Sequence, residues 1–270
     1  MGSKIQEQME VKLLQPWSTF VLATTLPPLI FDKMIRITDE IVENRESATQ
    51  HGHKLAGQIE DEFTIDLEIL DREELLGFFL DVTKNFITQA WIQRFGGNDA
   101  AQKDVLSEEF LTQLVSMWMV SQKDNEYNPM HVHGDCHISA VMYLKIPEYL
   151  PTRKSNKLIS QYDDESFSFI DGSIMFTNNK STDNIWADST LQIQPQPGDL
   201  FIFPATQQHQ VYPFRTADGK GERRSVSFNA SFTTKREQEY LERQRKDQSY
   251  RENFVIGSGS IYSVGSSENI

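Results

Sequence analysis

The sequence predicts a mainly β, α+β protein in which N-terminal helices support a double-stranded β-helix, the jelly-roll arrangement. Residues 27–95 carry stretches of apolar side chains at helical spacing. After Val115 the chain changes to short segments rich in β-branched and aromatic residues, separated by Gly, Pro, Asn and Asp. No internal repeat or long linker divides the 270 residues, so we expect one domain.

The helical support is predicted over residues 27–114. A first helix is predicted within residues 27–46, after Pro27-Pro28, and the clearest helix over 71–95, with Asp71 at its N-terminal cap. A further helix is predicted over 100–114. These helices are expected to pack their apolar stripes against a sheet.

The stretch between the first two predicted helices is polar and irregular, and it contains His51 and His53. Two alternating histidines could bind a metal ion, but no third ligand lies near them in the sequence. We therefore interpret both as exposed loop histidines.

The β core is predicted over residues 115–232, followed by a charged helix and a Ser/Gly-rich tail within 233–270. The predicted strands cover residues 117–120, 138–146, 167–170, 173–176, 190–193, 199–203, 209–214 and 225–232. About eight strands after a helical half are typical of a jelly roll supported by helices.

Composition narrows the possible functions. A net charge of -13 argues against a general nucleic-acid binder, because binding to phosphates requires an excess of Lys and Arg. The chain has one cysteine, no apolar run long enough to span a membrane and no apolar leader at its start. These features predict a cytoplasmic protein.

Four of the six histidines lie in two places that could share one metal ion. In an extended strand, His131, His133, Asp135 and His137 would all point to one face. His209 follows a Pro-Gly-Asp turn and a predicted strand, and is the candidate for a distant ligand. Two imidazoles and one carboxylate form the facial triad of non-haem Fe(II) oxygenases.

A later strand alternates strictly between polar and apolar residues. Arg223, Ser225, Ser227 and Asn229 share one face, and Arg224 with its apolar neighbours shares the other. A polar face inside an apolar barrel is costly unless it meets a ligand. Arg223 and Ser225 together would suit a carboxylate, since Arg offers a planar fork of donors.

These motifs resemble those of the iron(II)/2-oxoglutarate oxygenase superfamily. The resemblance runs from about Met117 to Phe232. Within it the chain is similar to a bacterial and phage group with an Asn-Pro-x-His-x-His motif, here Asn128 to His133, followed by a Ser and a Tyr-Leu strand. The Arg-x-Ser-x-Ser-Phe-Asn motif closes the match at Arg223 to Asn229.

The resemblance implies Fe(II) and 2-oxoglutarate as cofactors and O2 as a co-reactant, with release of succinate and hydroxylation of a small molecule or a peptide side chain. It implies that Arg223, with Ser225, binds the distal carboxylate of 2-oxoglutarate. Tyr143 could hydrogen-bond the same cosubstrate or pack in the core. A bacterium, or a host cell infected by a phage, is the expected setting.

Several alternatives stay open at this point. One ligand position could be filled by Asp135, which fits the usual ligand chemistry, or by His131, which fits the subgroup's motif; His133 and His209 serve in both. The function could instead be that of a cupin-like metalloenzyme without 2-oxoglutarate, or of a non-catalytic jelly roll. Oligomeric state is open, with a dimer among the options.

Overall fold

The computed structural model describes residues 20–52, 57–95, 108–150, 171–178, 189–246, 254–257 and 260–263. Its helices are α1 (Pro28–Glu43), α2 (Leu67–Arg72), α3 (Leu76–Phe95) and α4 (Lys235–Lys246). Its strands are β1 (Leu22–Thr25), β2 (Glu62–Thr64), β3 (Phe110–Lys123), β4 (Asn128–His131), β5 (Ile138–Lys145), β6 (Ile174–Thr177), β7 (Thr190–Ile193), β8 (Asp199–Pro204), β9 (His209–Val211), β10 (Glu222–Thr234), β11 (Phe254–Gly257) and β12 (Ser260–Ser263).

Two antiparallel sheets form the body of the molecule. The larger has six strands in the order β1-β8-β5-β10-β3-β2, and the smaller has four in the order β4-β9-β6-β7. Strands β11 and β12 pair with each other. Among the described residues the fold is therefore mainly β, with antiparallel sheets and helices at the N-terminal side of the chain, as the sequence predicted.

The central strands of the six-stranded sheet are buried on both faces, and alternate residues of a strand pack on opposite sides. On β5, Ala140 and Met142 join one core cluster, whereas Val141 and Tyr143 join another. The first cluster contains α1 residues such as Met34 and residues of α3, so this face packs on the helices. We call it the helix face.

The opposite face meets the four-stranded sheet, and we call it the cavity face. Its apolar cluster draws Val141 and Phe201 from the large sheet together with Ile174 and Val211 from the small one. Residues from non-adjacent strands of two sheets can share a cluster only if the sheets pack face to face. The space between the sheets is where the polar residues of β10 and the histidines meet.

The structure confirms the first helix and most of the predicted strands, but it moves the start of the second helix. Asp71 does not cap α3; it lies inside the short helix α2. Glu74, between the two helices, has φ 58° in the left-handed region, which interrupts the helical path. The predicted continuous helix over 71–95 is therefore two helices.

The prediction of a helix over 100–114 is wrong where it can be compared. Residues 110–114 open β3, which pairs with β10 along its whole length. The apolar and β-branched side chains of this stretch serve a sheet because β10 offers it a long antiparallel partner. Residues 100–107 lie outside the described part of the chain, as do residues 167–170 and His53.

The interpretation of His51 as an exposed loop residue is also wrong. His51 is buried, stacks on Trp118 with ring centroids 4.9 Å apart, and has Nδ1 3.0 Å from the Thr64 hydroxyl. Its backbone N–H bonds to the carbonyl of Glu62. The stretch around it is held on the sheet by strand β2, which the sequence analysis did not predict.

Candidate metal centre

A cleft between the two sheets encloses about 550 Å³ of empty space, part of it open to solvent. Both sheets supply its walls. Its polar lining residues are Gln122, Asn128, His131, His133, Ser139, His209, Arg223, Ser225 and Ser227. The candidate residues on β10 and the three histidines therefore face one shared space.

Three histidines converge at one part of this cleft. His131 is the last residue of β4 and lies directly across from His209, the first residue of β9. His133 is held beside them because its backbone N–H donates to the carbonyl of Ala205 at 2.9 Å. One ligand nitrogen from each histidine lies within 4.8 Å of the others, and His133 Nε2 is 3.4 Å from His209 Nε2.

Two of the imidazoles are oriented by backbone carbonyls. His131 Nδ1 donates to the Pro129 carbonyl at 2.7 Å, and His209 Nδ1 donates to the Gln207 carbonyl at 2.9 Å. A proton on Nδ1 leaves Nε2 with its lone pair, which is the form that binds a metal ion. These hydrogen bonds therefore fix both the tautomer and the direction of the ring.

The electrostatics keep these rings neutral. Burial, and then the neighbouring imidazoles, lower the pKa of His133 to about 3. Burial and His131 lower the pKa of His209 to about 4. Burial also lowers the pKa of His131, against the opposing effect of its bond to Pro129. At neutral pH all three rings can donate lone pairs rather than repel a cation.

Asp135 is not part of this group of ligand atoms. Strand β4 ends at His131, so the extended geometry that would point Asp135 to the same face does not continue. Asp135 is exposed and has φ 57°, in the left-handed region that Asp tolerates better than most residues. His137 is also exposed and outside the group, with its Nδ1 accepting a hydrogen bond from the Phe232 N–H.

Arg223 is the main positive charge of the cavity face. Its side chain is 2% exposed, and Nη1 donates to the Gly172 carbonyl at 2.8 Å, while Nε has no hydrogen-bond partner. Among the described residues, no carboxylate forms an ion pair with it. A buried guanidinium without a counter-ion is costly, and an anionic ligand would remove that cost.

Tyr143 and Ser225 adjoin Arg223. The guanidinium carbon lies 4.9 Å from the centre of the Tyr143 ring, and the buried Tyr143 hydroxyl has no partner. Ser225 lies directly across from Tyr143 in the β10–β5 pair and lines the same cleft. All three residues singled out for the cosubstrate thus lie together on the cavity face.

Sequence reasoning missed one wall of the cleft. Trp118 is buried on β3; its ring lies 5.8 Å from that of His133 and also stacks on the ring of His51. The alternation of Met117-Trp118-Met119 placed Trp118 on one face of a strand, but no local signal told which face. Only the pairing of β3 with β10 assigns it to the cavity.

The sequence comparison supports the family resemblance. Residues 116–229, less than half of the chain, match the family described as "Putative 2OG-Fe(II) oxygenase". This match confirms the resemblance of this part of the chain to the 2OG-Fe(II) oxygenases. No curated protein matches the chain.

Several solved structures are similar. A Burkholderia pseudomallei oxidoreductase of the 2OG-Fe(II) oxygenase family is 15% identical, with 49% of this chain and 51% of that chain covered and a TM-score of 0.30. The chain thus spans about half of that protein. A Pseudomonas putida prolyl-4-hydroxylase is 13% identical, with 77% and 91% covered and a TM-score of 0.41.

A third is a prolyl hydroxylase from Trichoplax adhaerens in complex with a hypoxia inducible factor oxygen degradation domain peptide fragment. It is 11% identical, with 79% of this chain and 83% of that chain covered and a TM-score of 0.44. At these identities and TM-scores the similarity supports no conclusion about the substrate or partner of this chain.

Proposed function

We propose that this protein is a 2OG-Fe(II) oxygenase that binds Fe(II) through His131, His133 and His209 and uses 2-oxoglutarate and O2 to hydroxylate a small molecule or a peptide side chain, releasing succinate. The observation that carries the proposal is the shared cavity. It contains three converging neutral imidazoles and a buried Arg223 without a counter-ion.

The histidine group fits a divalent transition metal. Imidazole nitrogens suit iron, and two ligands about 2.1 Å from one ion at right angles are roughly 3 Å apart, close to the 3.4 Å between His133 Nε2 and His209 Nε2. The Nδ1 bonds of His131 and His209 to backbone carbonyls supply the supporting contacts that orient metal ligands.

The region around Arg223 fits the terminal carboxylate of 2-oxoglutarate. Arg223 Nε and the Tyr143 hydroxyl are buried donors without partners, and the Ser225 hydroxyl lies on the same face. A carboxylate would accept a hydrogen bond from the Tyr143 hydroxyl and neutralise the guanidinium. The two facing sheets would then form the two walls of a double-stranded β-helix, with the cosubstrate between them.

Bound iron and 2-oxoglutarate would supply oxidative decarboxylation of the cosubstrate and the oxidation of a substrate C–H bond. The chain's own residues bind and orient the cosubstrate and exclude water. Arg223 fixes one end of the cosubstrate, while Trp118 and Phe203 form apolar walls near the histidines that keep water from the reacting atoms.

His131, rather than Asp135, is the proposed third ligand. His131 is fixed by β4 and its bond to Pro129, whereas Asp135 is exposed in the following loop. Three neutral ligands would leave the full charge of Fe(II) uncompensated by the protein. A dianionic cosubstrate would then reduce the positive charge at both ends, with one carboxylate at the metal and the other at Arg223, which ties the two halves of the proposal to each other.

Anaerobic visible spectroscopy tests the proposal. Fe(II) together with 2-oxoglutarate should give a charge-transfer band that neither gives alone, and admission of O2 should convert 2-oxoglutarate to succinate. Metal binding without the band would contradict the 2-oxoglutarate part and favour a cupin-like metalloenzyme. No metal binding at all would favour a non-catalytic role.

A further inference from the structure

A buried glutamine lies next to Arg223 and has not been given a role. Gln122 on β3 is directly across from Arg223 in the β10–β3 pair, so both side chains project from the cavity face. Both line the cleft, and both are almost completely buried. Their polar ends therefore share one water-poor end of the cavity.

The amide of Gln122 has a fixed orientation. Its Nε2 donates to the backbone carbonyls of Glu126 and Tyr212. Turning the amide around would bring its oxygen against two carbonyl oxygens, so Nε2 must keep this direction. The acceptor Oε1 therefore points away from both, where it is buried and has no partner.

Two unsatisfied groups of opposite kind thus lie on neighbouring residues. Arg223 Nε is a buried donor without a partner, and Gln122 Oε1 is a buried acceptor without one. Each would cost free energy if left unpaired. Cross-strand neighbours have Cβ atoms about 4.5–5.5 Å apart, which brings the two side chains within reach of each other.

We propose that Gln122 is a positioning residue for Arg223: when the cosubstrate binds, Gln122 Oε1 accepts the Arg223 Nε–H and leaves the two Nη groups for the terminal carboxylate. This inference rests on the proposed function. A neutral acceptor is essential to it, because a carboxylate at position 122 would neutralise the guanidinium before 2-oxoglutarate arrived.

The test is the affinity of the anaerobic Fe(II) protein for 2-oxoglutarate, from titration of the charge-transfer band, in Gln122→Met and Gln122→Glu. Gln122→Met should weaken binding about 5- to 10-fold, because the guanidinium loses its anchor but keeps its charge. Gln122→Glu should weaken it more, at least about 30-fold. Pyruvate, which has no terminal carboxylate to reach Arg223, should bind all variants equally.

The double variant Gln122→Met/Arg223→Met shows whether Gln122 acts through Arg223. Gln122→Met should have no further effect on affinity once Arg223 is already Met. Equal losses for 2-oxoglutarate and pyruvate, or additive losses in the double variant, would overturn the inference. If Gln122→Glu does not fold, the affinity of Gln122→Met for 2-oxoglutarate, measured at unchanged metal content, is sufficient to test the inference. A wild-type protein without the band would instead contradict the proposed function.

Discussion

Arg223 and Arg224 are neighbours on β10 and each is 2% exposed, but their side chains lie on opposite faces of the sheet and have different partners. Arg224 on the helix face is paired with Asp39 of α1 and with Glu222, whose Oε1 lies 2.8 Å from Nε. Arg223 on the cavity face donates to a single backbone carbonyl and has no carboxylate partner among the described residues.

We interpret Arg224 as a charge that stabilises the fold and Arg223 as the charge that is proposed to bind a ligand. Arg224 ties β10 to α1, and its hydrogen-bonding groups are satisfied within the protein. Arg223 leaves a donor unsatisfied, and among the described residues no carboxylate compensates its charge, so an anionic ligand would stabilise it. On the helix face the charge of Arg224 contributes to the fold, whereas on the cavity face the unpaired charge of Arg223 is the one that we propose to bind the cosubstrate.

The largest effect is expected at the histidines of the cavity. His209→Ala removes one of the three proposed ligands and should weaken Fe(II) binding by more than about 100-fold, since even loss of a supporting contact costs roughly 10- to 100-fold. Anaerobic Fe(II) titration measures this. His137→Ala, an exposed histidine outside the group, is the matched control and should bind iron like the wild type. Equal Fe(II) binding by both variants would contradict the proposed metal centre.

The free energy of unfolding should also distinguish the two arginines, but in the opposite sense from ligand binding: replacing Arg224 should lower it, and replacing Arg223 should not. Arg224→Met removes the buried partner of Asp39 and Glu222, which keep their contacts with Lys145 and Ser121, and should lower the free energy of unfolding by about 2–3 kcal/mol. Arg223→Met loses one hydrogen bond but removes a buried unpaired charge, and should stay within about 1 kcal/mol of the wild type. Urea denaturation of the metal-free variants measures both. Similar losses in both would mean that Arg223 is structural too.

The pH dependence of stability should reveal a second unpaired group, Glu62 on β2. Its side chain is almost fully buried, Oε1 has no partner, and burial, followed by the charge of Glu126, raises its pKa from 4.5 to about 7. The folded protein therefore holds this proton more tightly than the unfolded chain. Its contribution to stability is present below about pH 4.5 and is lost as pH rises through 7.

Glu62→Gln has no proton to lose at this position. The stability difference between Glu62→Gln and the wild type should therefore shift in favour of the variant by roughly 3 kcal/mol between pH 4.5 and 8. Urea denaturation across this pH range gives the difference, and other titrating groups cancel in it. A difference that stays constant with pH would show that Glu62 ionises as freely in the folded state as in the unfolded chain.

The smallest effect is expected at Asp135. Asp135→Asn keeps a residue that tolerates the left-handed backbone, with φ 57°, and removes only the charge. If His131 is the third ligand, Fe(II) affinity should change by less than about threefold. A loss comparable to that of His209→Ala would assign the third position to Asp135 instead.

The features that could be predicted from the sequence are those that depend on local alternation. Arg223 and Ser225 were placed on one face of β10, and Arg224 on the other, because side chains alternate along any strand. The pairing of the two histidine segments followed from their residue types and the turn before His209. These arguments need no knowledge of which strands are neighbours.

The features that could not be predicted depend on pairing or on a change of backbone direction. The alternation that grouped Asp135 with His131 assumed an extended chain, but β4 ends at His131. Burial of His51 depends on Trp118, 67 positions further along the chain. The role inferred for Gln122 depends on the β3–β10 register, which no local pattern contains.

The most direct test of the division between the two faces is the affinity for 2-oxoglutarate of Arg223→Met and Arg224→Met, measured side by side on folded, anaerobic Fe(II) protein. Arg223→Met should bind at least about 30-fold more weakly than the wild type, because it loses charge-assisted hydrogen bonds to the carboxylate. Arg224→Met, although less stable, should stay within about threefold. Unchanged binding by Arg223→Met, or an equal loss in both variants, would contradict the account.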